Sequence, residues 1–258
     1  MKPKERMAYI LEKVREDGYA SVEELSKLFG VSRQIIRKDI NQLSKTGPIN
    51  RVYGGIEAKN TKENISYDSR KVIHYNEKRR IAKLVSKFIP NNSSLFFSIG
   101  TTPEIVALEL LKHKNLKIFT NNLNVALSCC TNETFEINIL GGKVRNRHKD
   151  VFSKDSEKFF DSFSVDFGIF GVGAIENDGT LLDFSLDELS IRKSIQNSSR
   201  RVCLVADSSK YDRKAFVKGG NITEVDAFFT DKTPPKNIVS LLEESGTEIF
   251  FPRRVKDE

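Results

Sequence analysis

The chain has 258 residues, 38% hydrophobic and 30% charged, with a net charge of +7 at pH 7; it suits one large or two smaller globular cores, and no run of about 18 apolar residues is present to cross a bilayer. The start "MKPKERMAYI" does not read as a secretion signal, and three cysteines, two of them adjacent (Cys129, Cys130), give neither a disulfide framework nor metal-ligand spacing, so a reducing cytoplasm without metal or cofactor is expected. Residues 1–90 carry a net +9 and residues 91–258 a net −2, which assigns a polyanion to the front half and another task to the rest.

"KERMAYILEKVRED" sets Met7, Ile10, Leu11 and Val14 on one helical face, and Gly18 ends the helix. In "SVEELSKLFG", Ser21 stands three residues before Glu24, the capping-box spacing, with Leu25, Leu28 and Phe29 as the expected buried face and Gly30 as the stop. Ser32 then caps "RQIIRKDINQLSK", whose Ile36, Ile40 and Leu43 point inward. The other face gathers Arg33, Gln34, Arg37, Lys38 and Asn41; Arg and Lys read guanine edges, Gln and Asn adenine edges. A solvated basic face would explain these residues in isolation. A cap, a short helix and a glycine turn in front of them instead make a helix-turn-helix over about residues 21–45. "GPINRVYGGIEA" follows as a β-hairpin wing broken at Gly54-Gly55, with Arg51 or Tyr53 near the phosphate backbone.

Residues 59–75 are polar and unpatterned and read as a linker between a domain at 1–58 and a second at 76–258. "NEKRRIAKLVSKFI" resumes as a helix burying Ile81, Ala82, Val85 and Ile89, with Lys78-Arg79-Arg80 on a solvated face. Strands are then expected at 94–99, 116–120, 136–140, 165–171, 201–206, 225–230 and 247–251, and helices near 103–112, 123–130, 156–162, 187–197 and 235–245. The alternation gives an α/β domain with a mostly parallel sheet covered on both faces. Ligands of such sheets sit at the carboxyl ends of the strands. There the chain has Gly100-Thr101-Thr102, Thr120-Asn121-Asn122, Gly141-Gly142, Gly171-Val172-Gly173 and Asp207-Ser208-Ser209-Lys210. These are turn residues on any account. Five such loops on one rim point to a small polar, phosphorylated ligand, with the amides of the Gly100–Thr102 turn as its cradle.

Arg6, Ile10 and Val14, then "VSRQIIRKDI" and "GPINRVYGG", resemble the winged helix-turn-helix of DeoR-type bacterial regulators. "IGTTPE", "LKIFTNNLNVA", "ILGGKVR", "VDFGIFGVGAI", "DGTLLDF" and "ADSSKYDR" resemble successive landmarks of that family's sensor domain, which is related to ribose-5-phosphate isomerases and coenzyme A transferases. They are most similar to members that answer to glycerol 3-phosphate. The family pattern Val-Ser-x-x-Thr-Ile-Arg-Arg-Asp-Leu departs at Ile35, which replaces a hydroxyl donor, and at Lys38, which lacks the bidentate fork of arginine.

The resemblance implies a repressor, a homodimer or homotetramer on double-stranded operator DNA, released by glycerol 3-phosphate or a similar phosphorylated metabolite. It implies a phosphate on Gly100, Thr101 and Thr102, helped by Thr120, Asn121 and Asn122. Arg145 or Lys210 would add a cation, Gly171 would line the rim, and Asp207 would accept a hydroxyl hydrogen bond. Three alternatives stay open: an activator, a response to another sugar phosphate, and a sugar-phosphate isomerase-like enzyme with an accessory DNA module. Asp166, Asp178, Asp183, Glu188, Asp207 and Lys210 would be the acid-base candidates of that enzyme. Against it, Asp178 reads as a turn residue and Glu188 as the i, i+4 partner of Arg192.

Overall fold

Glycines punctuate the first helices of the computed structural model, which describes residues 2–46, 49–52, 54–58 and 67–252 and separates into two compact units, 1–75 and 76–258. In the first unit, α1 (Pro3–Asp17) ends at Gly18, left-handed at φ 77°. After β1 (Tyr19–Ser21), the Ser21 Oγ accepts the Glu24 amide at 3.0 Å and opens α2 (Val22–Phe29), which Gly30 closes at φ 61°. α3 (Arg33–Thr46) follows, then β2 (Ile49–Val52) and β3 (Gly55–Ala58). β3 is central in an antiparallel sheet of order β1-β3-β2. The third strand was not expected, because three residues are too few to show a period. Gly55 is required by close approach: a Cβ there would lie 2.3 Å from the Ala20 carbonyl oxygen.

Ile10, Val14, Ala20, Leu25, Ile36, Ile40, Leu43, Ile49 and Ile56 form the core of this unit. Leu28 does not join them and is 51% exposed. At 100° per residue, Val22 and Phe29 fall on one side of Leu25 and Leu28 on the other, so an eight-residue helix buries Leu25 alone. Beside this core runs a buried ion pair that no local spacing announced. Arg6 Nε lies 2.6 Å from Asp39 Oδ2, and Arg6 Nη2 donates to Asp39 Oδ1 at 3.2 Å, joining α1 to α3. The carboxylate raises the Arg6 pKa further against the pull of burial. Tyr53 and residues 59–66 lie outside the described residues. Within the segment read as linker, α4 (Tyr67–Val72) is helical and Tyr67 is buried.

The second unit runs through α5 (Tyr75–Phe88), β4 (Ser94–Phe97), α6 (Thr101–Glu109), β5 (Lys117–Thr120), α7 (Leu123–Cys129) and β6 (Glu136–Ile139). It continues with β7 (Lys143–Arg145), β8 (Asp150–Phe152), α8 (Ser156–Asp161), β9 (Val165–Phe170), β10 (Ala174–Ile175) and β11 (Thr180–Asp183). α9 (Leu186–Asn197), β12 (Ser199–Val205), β13 (Val217–Asn221), β14 (Ala227–Phe229), α10 (Lys236–Ser245) and β15 (Glu248–Phe250) complete it. All seven expected strands pair in one parallel sheet of order β15-β14-β12-β9-β4-β5-β6. Pleating sends Leu95 and Phe97 into a cluster with Val85, Val106, Ile118 and Ile169, while Phe96 packs with Phe119, Phe160, Val165 and Ile195. Two small antiparallel sheets were not expected, β7-β8 and β10-β11-β13; their strands have two to five residues. Among the described residues, no helix is long and apolar enough to cross a membrane.

Removing one member of a buried ion pair leaves the other charge uncompensated, at about 3–5 kcal/mol. Arg6→Ala is therefore expected to lower the melting temperature of the 1–75 unit while the transition of the 76–258 unit stays in place. Differential scanning calorimetry of the full chain reads both.

Candidate nucleic-acid interface and effector site

α3 divides cleanly. Ile36, Ile40 and Leu43 are buried, while Ser32, just before its first turn, and Arg33, Gln34, Arg37, Lys38 and Asn41 are exposed. The long donors expected on one face are thus presented to solvent together. Ile35 joins them at 41% exposure, an apolar side chain amid polar ones. Arg33 Nη2 stands 3.3 Å from Glu23 on α2, a pair that a phosphate can replace. Arg51 on β2 is exposed and its Nη1 donates to Asn41 Oδ1 at 2.9 Å, so the wing is tied to the recognition helix. Arg37→Ala is expected to cost about 1–3 kcal/mol of operator affinity and to relax preference at one base pair. Titration against an operator and its single-base variants measures both effects.

The second site follows from chain direction. From β4 the chain steps to β5 and β6 on one side; it then returns through β9, on the other side of β4, and runs on to β12, β14 and β15. The sheet order therefore reverses between β4 and β9, and the crevice at such a switch point opens at the carboxyl ends of the strands. The Gly100 turn leaves β4 there and the Gly171 turn leaves β9. Gly100 takes φ 123° and ψ 160°, backbone that favours glycine, and opens α6, where Thr101 and Thr102 are buried. Pro103 follows in the first turn, where a missing N–H costs no helical hydrogen bond. A Cβ on Gly171 would sit 3.4 Å from the Val205 carbonyl oxygen and 3.8 Å from Pro103 Cδ, so the ends of β9 and β12 meet the start of α6.

The Thr120–Asn122 turn braces this cradle. Thr120 Oγ1 donates to the Phe97 carbonyl at 2.8 Å and accepts the Asn122 amide at 3.0 Å. Asn122 Nδ2 donates to the Gly100 carbonyl at 3.1 Å, and its Oδ1 caps α7 by accepting from Asn124 and Val125. Asn121 Nδ2 donates to the Val151 carbonyl at 3.3 Å, while its Oδ1 is buried without a partner. Asp207 is buried at the end of β12, and its Oδ1 accepts from the Ser209 amide at 3.1 Å. Lys210 follows in the same turn, and its charge is felt by Asp183. Arg145 meets Asp150 through two hydrogen bonds of 2.9 and 2.5 Å, with Glu188 at 3.7 Å.

Several carboxylates considered for catalysis are held by partners of their own. Asp166 stands at the amino end of β9, away from the rim; a hydrogen bond from the Ser94 amide at 2.9 Å holds its carboxyl below the usual range. Asp178 accepts the Thr180 amide at 2.9 Å, the turn role expected of it. Asp183 is buried against Arg192, with Nη2 at 2.7 Å; burial pushes its carboxyl upward against the pull of Arg192 and Lys210. This corrects the expected Glu188–Arg192 pair. Arg192 is buried and turns to Asp183 and the Gly219 carbonyl, leaving Glu188 to face Arg145 and to accept the Phe184 amide at 3.4 Å.

Comparison with known proteins bears on both units of the chain. Residues 6–62 match the DeoR-like helix-turn-helix domain and residues 73–232 the DeoR C-terminal sensor domain. The chain is 43% identical over 242 residues to a glycerol-3-phosphate regulon repressor of Escherichia coli K12, covering 94% of this chain and 96% of that protein. It is 38% identical over 240 residues to the HTH-type transcriptional repressor CsqR of the same organism, covering 93% and 92%. A ribose 5-phosphate isomerase from Plasmodium falciparum is similar over 54% of this chain and 52% of its own, at 16% identity and a TM-score of 0.38, too distant to bear on function. The chain belongs to the DeoR family, with a helix-turn-helix domain at its front and the family's sensor domain behind it.

Proposed function

We propose that the protein is a cytoplasmic transcriptional repressor of genes for glycerol and glycerol 3-phosphate metabolism, released from its operator by a small phosphorylated inducer, foremost glycerol 3-phosphate. The observation that carries this reading is the Gly100–Thr102 turn at the switch point: first-turn amides of a nine-residue helix, two threonine hydroxyls and a backbone conformation suited to glycine meet there. Helix amino ends with glycine-bearing turns suit phosphate through their free N–H groups and dipole. The choice of glycerol 3-phosphate is supported by the name of the 43%-identical relative.

The ligand is sensed and not transformed. Asp166, Asp178 and Asp183 are engaged by Ser94, Thr180 and Arg192, so any of these three would leave an existing contact to act as the base an isomerase requires. A homodimer or homotetramer sets recognition helices in successive major grooves of a repeated or palindromic operator. The inducer binds the DNA-free conformation more tightly, and a coupling of about 1–3 kcal/mol weakens operator binding roughly 5–150-fold.

Fluorescence anisotropy of the full chain on the promoter of a glycerol operon, at one salt concentration, tests the reading. Tight binding weakened by glycerol 3-phosphate, but not by glycerol or inorganic phosphate, is the expected result; binding indifferent to it would transfer the sensor to another sugar phosphate. Turnover of pentose or triose phosphates by the purified protein would overturn the sensing role. The double substitution Thr101→Ala with Thr102→Ala is expected to keep operator affinity and abolish release, and unchanged release at the same ligand concentration would remove the phosphate from this turn.

A further inference from the structure

The Asn121–Asn122 turn is held from one side by a short two-stranded ribbon. Val151 donates its amide to the Asn121 carbonyl at 2.8 Å, Leu123 donates to the Lys149 carbonyl at 3.1 Å, and Asn121 Nδ2 reaches the Val151 carbonyl. Asn122 and Asp150 also form an antiparallel bridge. Among the described residues, β8 forms a ladder with β7 alone, three residues on each strand, beside the single bridge from Asp150 to Asn122. Two-stranded ribbons of that size do not keep their place unaided. Lys149, just before β8, is left-handed at φ 54°, a conformation its surroundings must enforce.

Phe152 packs on the core cluster of Phe96, Phe119 and Phe160, and a cross-strand pair locks the two strands to each other. Arg145 on β7 stands opposite Asp150 on β8 in register, and its Nε and Nη2 engage both carboxylate oxygens at 2.9 and 2.5 Å. Asp150 is fully buried. The same guanidinium stacks over the Phe152 ring, 5.0 Å from its centroid, and reaches Glu188 on α9 at 3.7 Å. Its charge is thus already matched by two carboxylates.

We infer that Asp150 is a positioning residue for the effector site: clasped by Arg145, it holds β8 so that the Asn121–Asn122 turn braces the Gly100 carbonyl, and Arg145 serves this clasp and does not bind the ligand. The inference rests on the reading of Gly100–Asn122 as the effector site. It differs in sign from a role for Arg145 as a ligand cation. A guanidinium freed from Asp150 would bind an anion better, whereas a ribbon freed from Arg145 lets the turn loosen and binds it worse.

Asp150→Asn, Arg145→Gln and the double variant of the full chain decide between them. Amide hydrogen exchange without ligand is expected to quicken at least tenfold at Leu123 and Val151 in each single variant; unchanged protection overturns the inference, whatever the ligand proves to be. Calorimetric titration with glycerol 3-phosphate is expected to show about tenfold weaker binding in each single variant and no further loss in the double. Wild-type or tighter binding by Asp150→Asn, or losses that multiply in the double variant, overturns it. Should Asp150→Asn fail to fold, Glu188→Gln takes its place: unpinning Arg145 from α9 is expected to weaken binding two- to fivefold, and tighter binding would restore Arg145 as the cation. If the wild type takes up no glycerol 3-phosphate while the exchange result holds, the choice of ligand fails and the clasp stands.

Discussion

Parallel pairing at the boundary between β4 and β9 is the constraint on which the sensor unit depends. Parallel strands deliver every carboxyl end to one edge, and reversal of the winding order leaves a gap there that neither crossover fills. Phe97 and Phe170 end their strands on either side of it, so the turns that follow must diverge, and small residues allow them to do so. Thr120 and Asn122 then close hydrogen bonds across to the β4 side, converting a topological gap into a walled cradle. Side chains refine this place, but chain direction chooses it.

In the helix-turn-helix unit the comparable element is the buried pair of Arg6 and Asp39. Its desolvation cost offsets much of its attraction, so a net gain in stability is a poor account of it. It defines instead which turn of α1 faces which turn of α3. Asp39 also occupies the one inward acidic position on a helix whose outward face is basic, so the carboxylate meets Arg6 inside and leaves the outer donors unneutralised by their own helix.

Much of this was legible in the sequence where local rules coincide with tertiary need. Ser21, Gly18 and Gly30 mark helix ends because caps act within a few residues. The inner sheet strands are legible because burial on both faces leaves apolar runs such as "RVCLVA", while the edge strands β6 and β15 are partly exposed. Where partners are distant, the signal fades. Arg6 is visible in its spacing, but its partner lies 33 residues on. The i, i+4 rule assigns Arg192 to Glu188, and burial sends it to Asp183. Asp150 sits in the irregular polar stretch "RHKDVF", and only pairing of two three-residue strands gives it a role.

Ile35 carries a consequence of another kind. At 41% exposure it is among the few apolar side chains on the recognition face. A hydroxyl in that place would exchange one water hydrogen bond for one to DNA, with little change in heat capacity. An isoleucine sheds ordered water when the groove covers it, which lowers the heat capacity of the complex. If the groove covers Ile35, the enthalpy of recognition falls more steeply on warming than with the family's threonine, and binding relies more on released water as the surroundings cool.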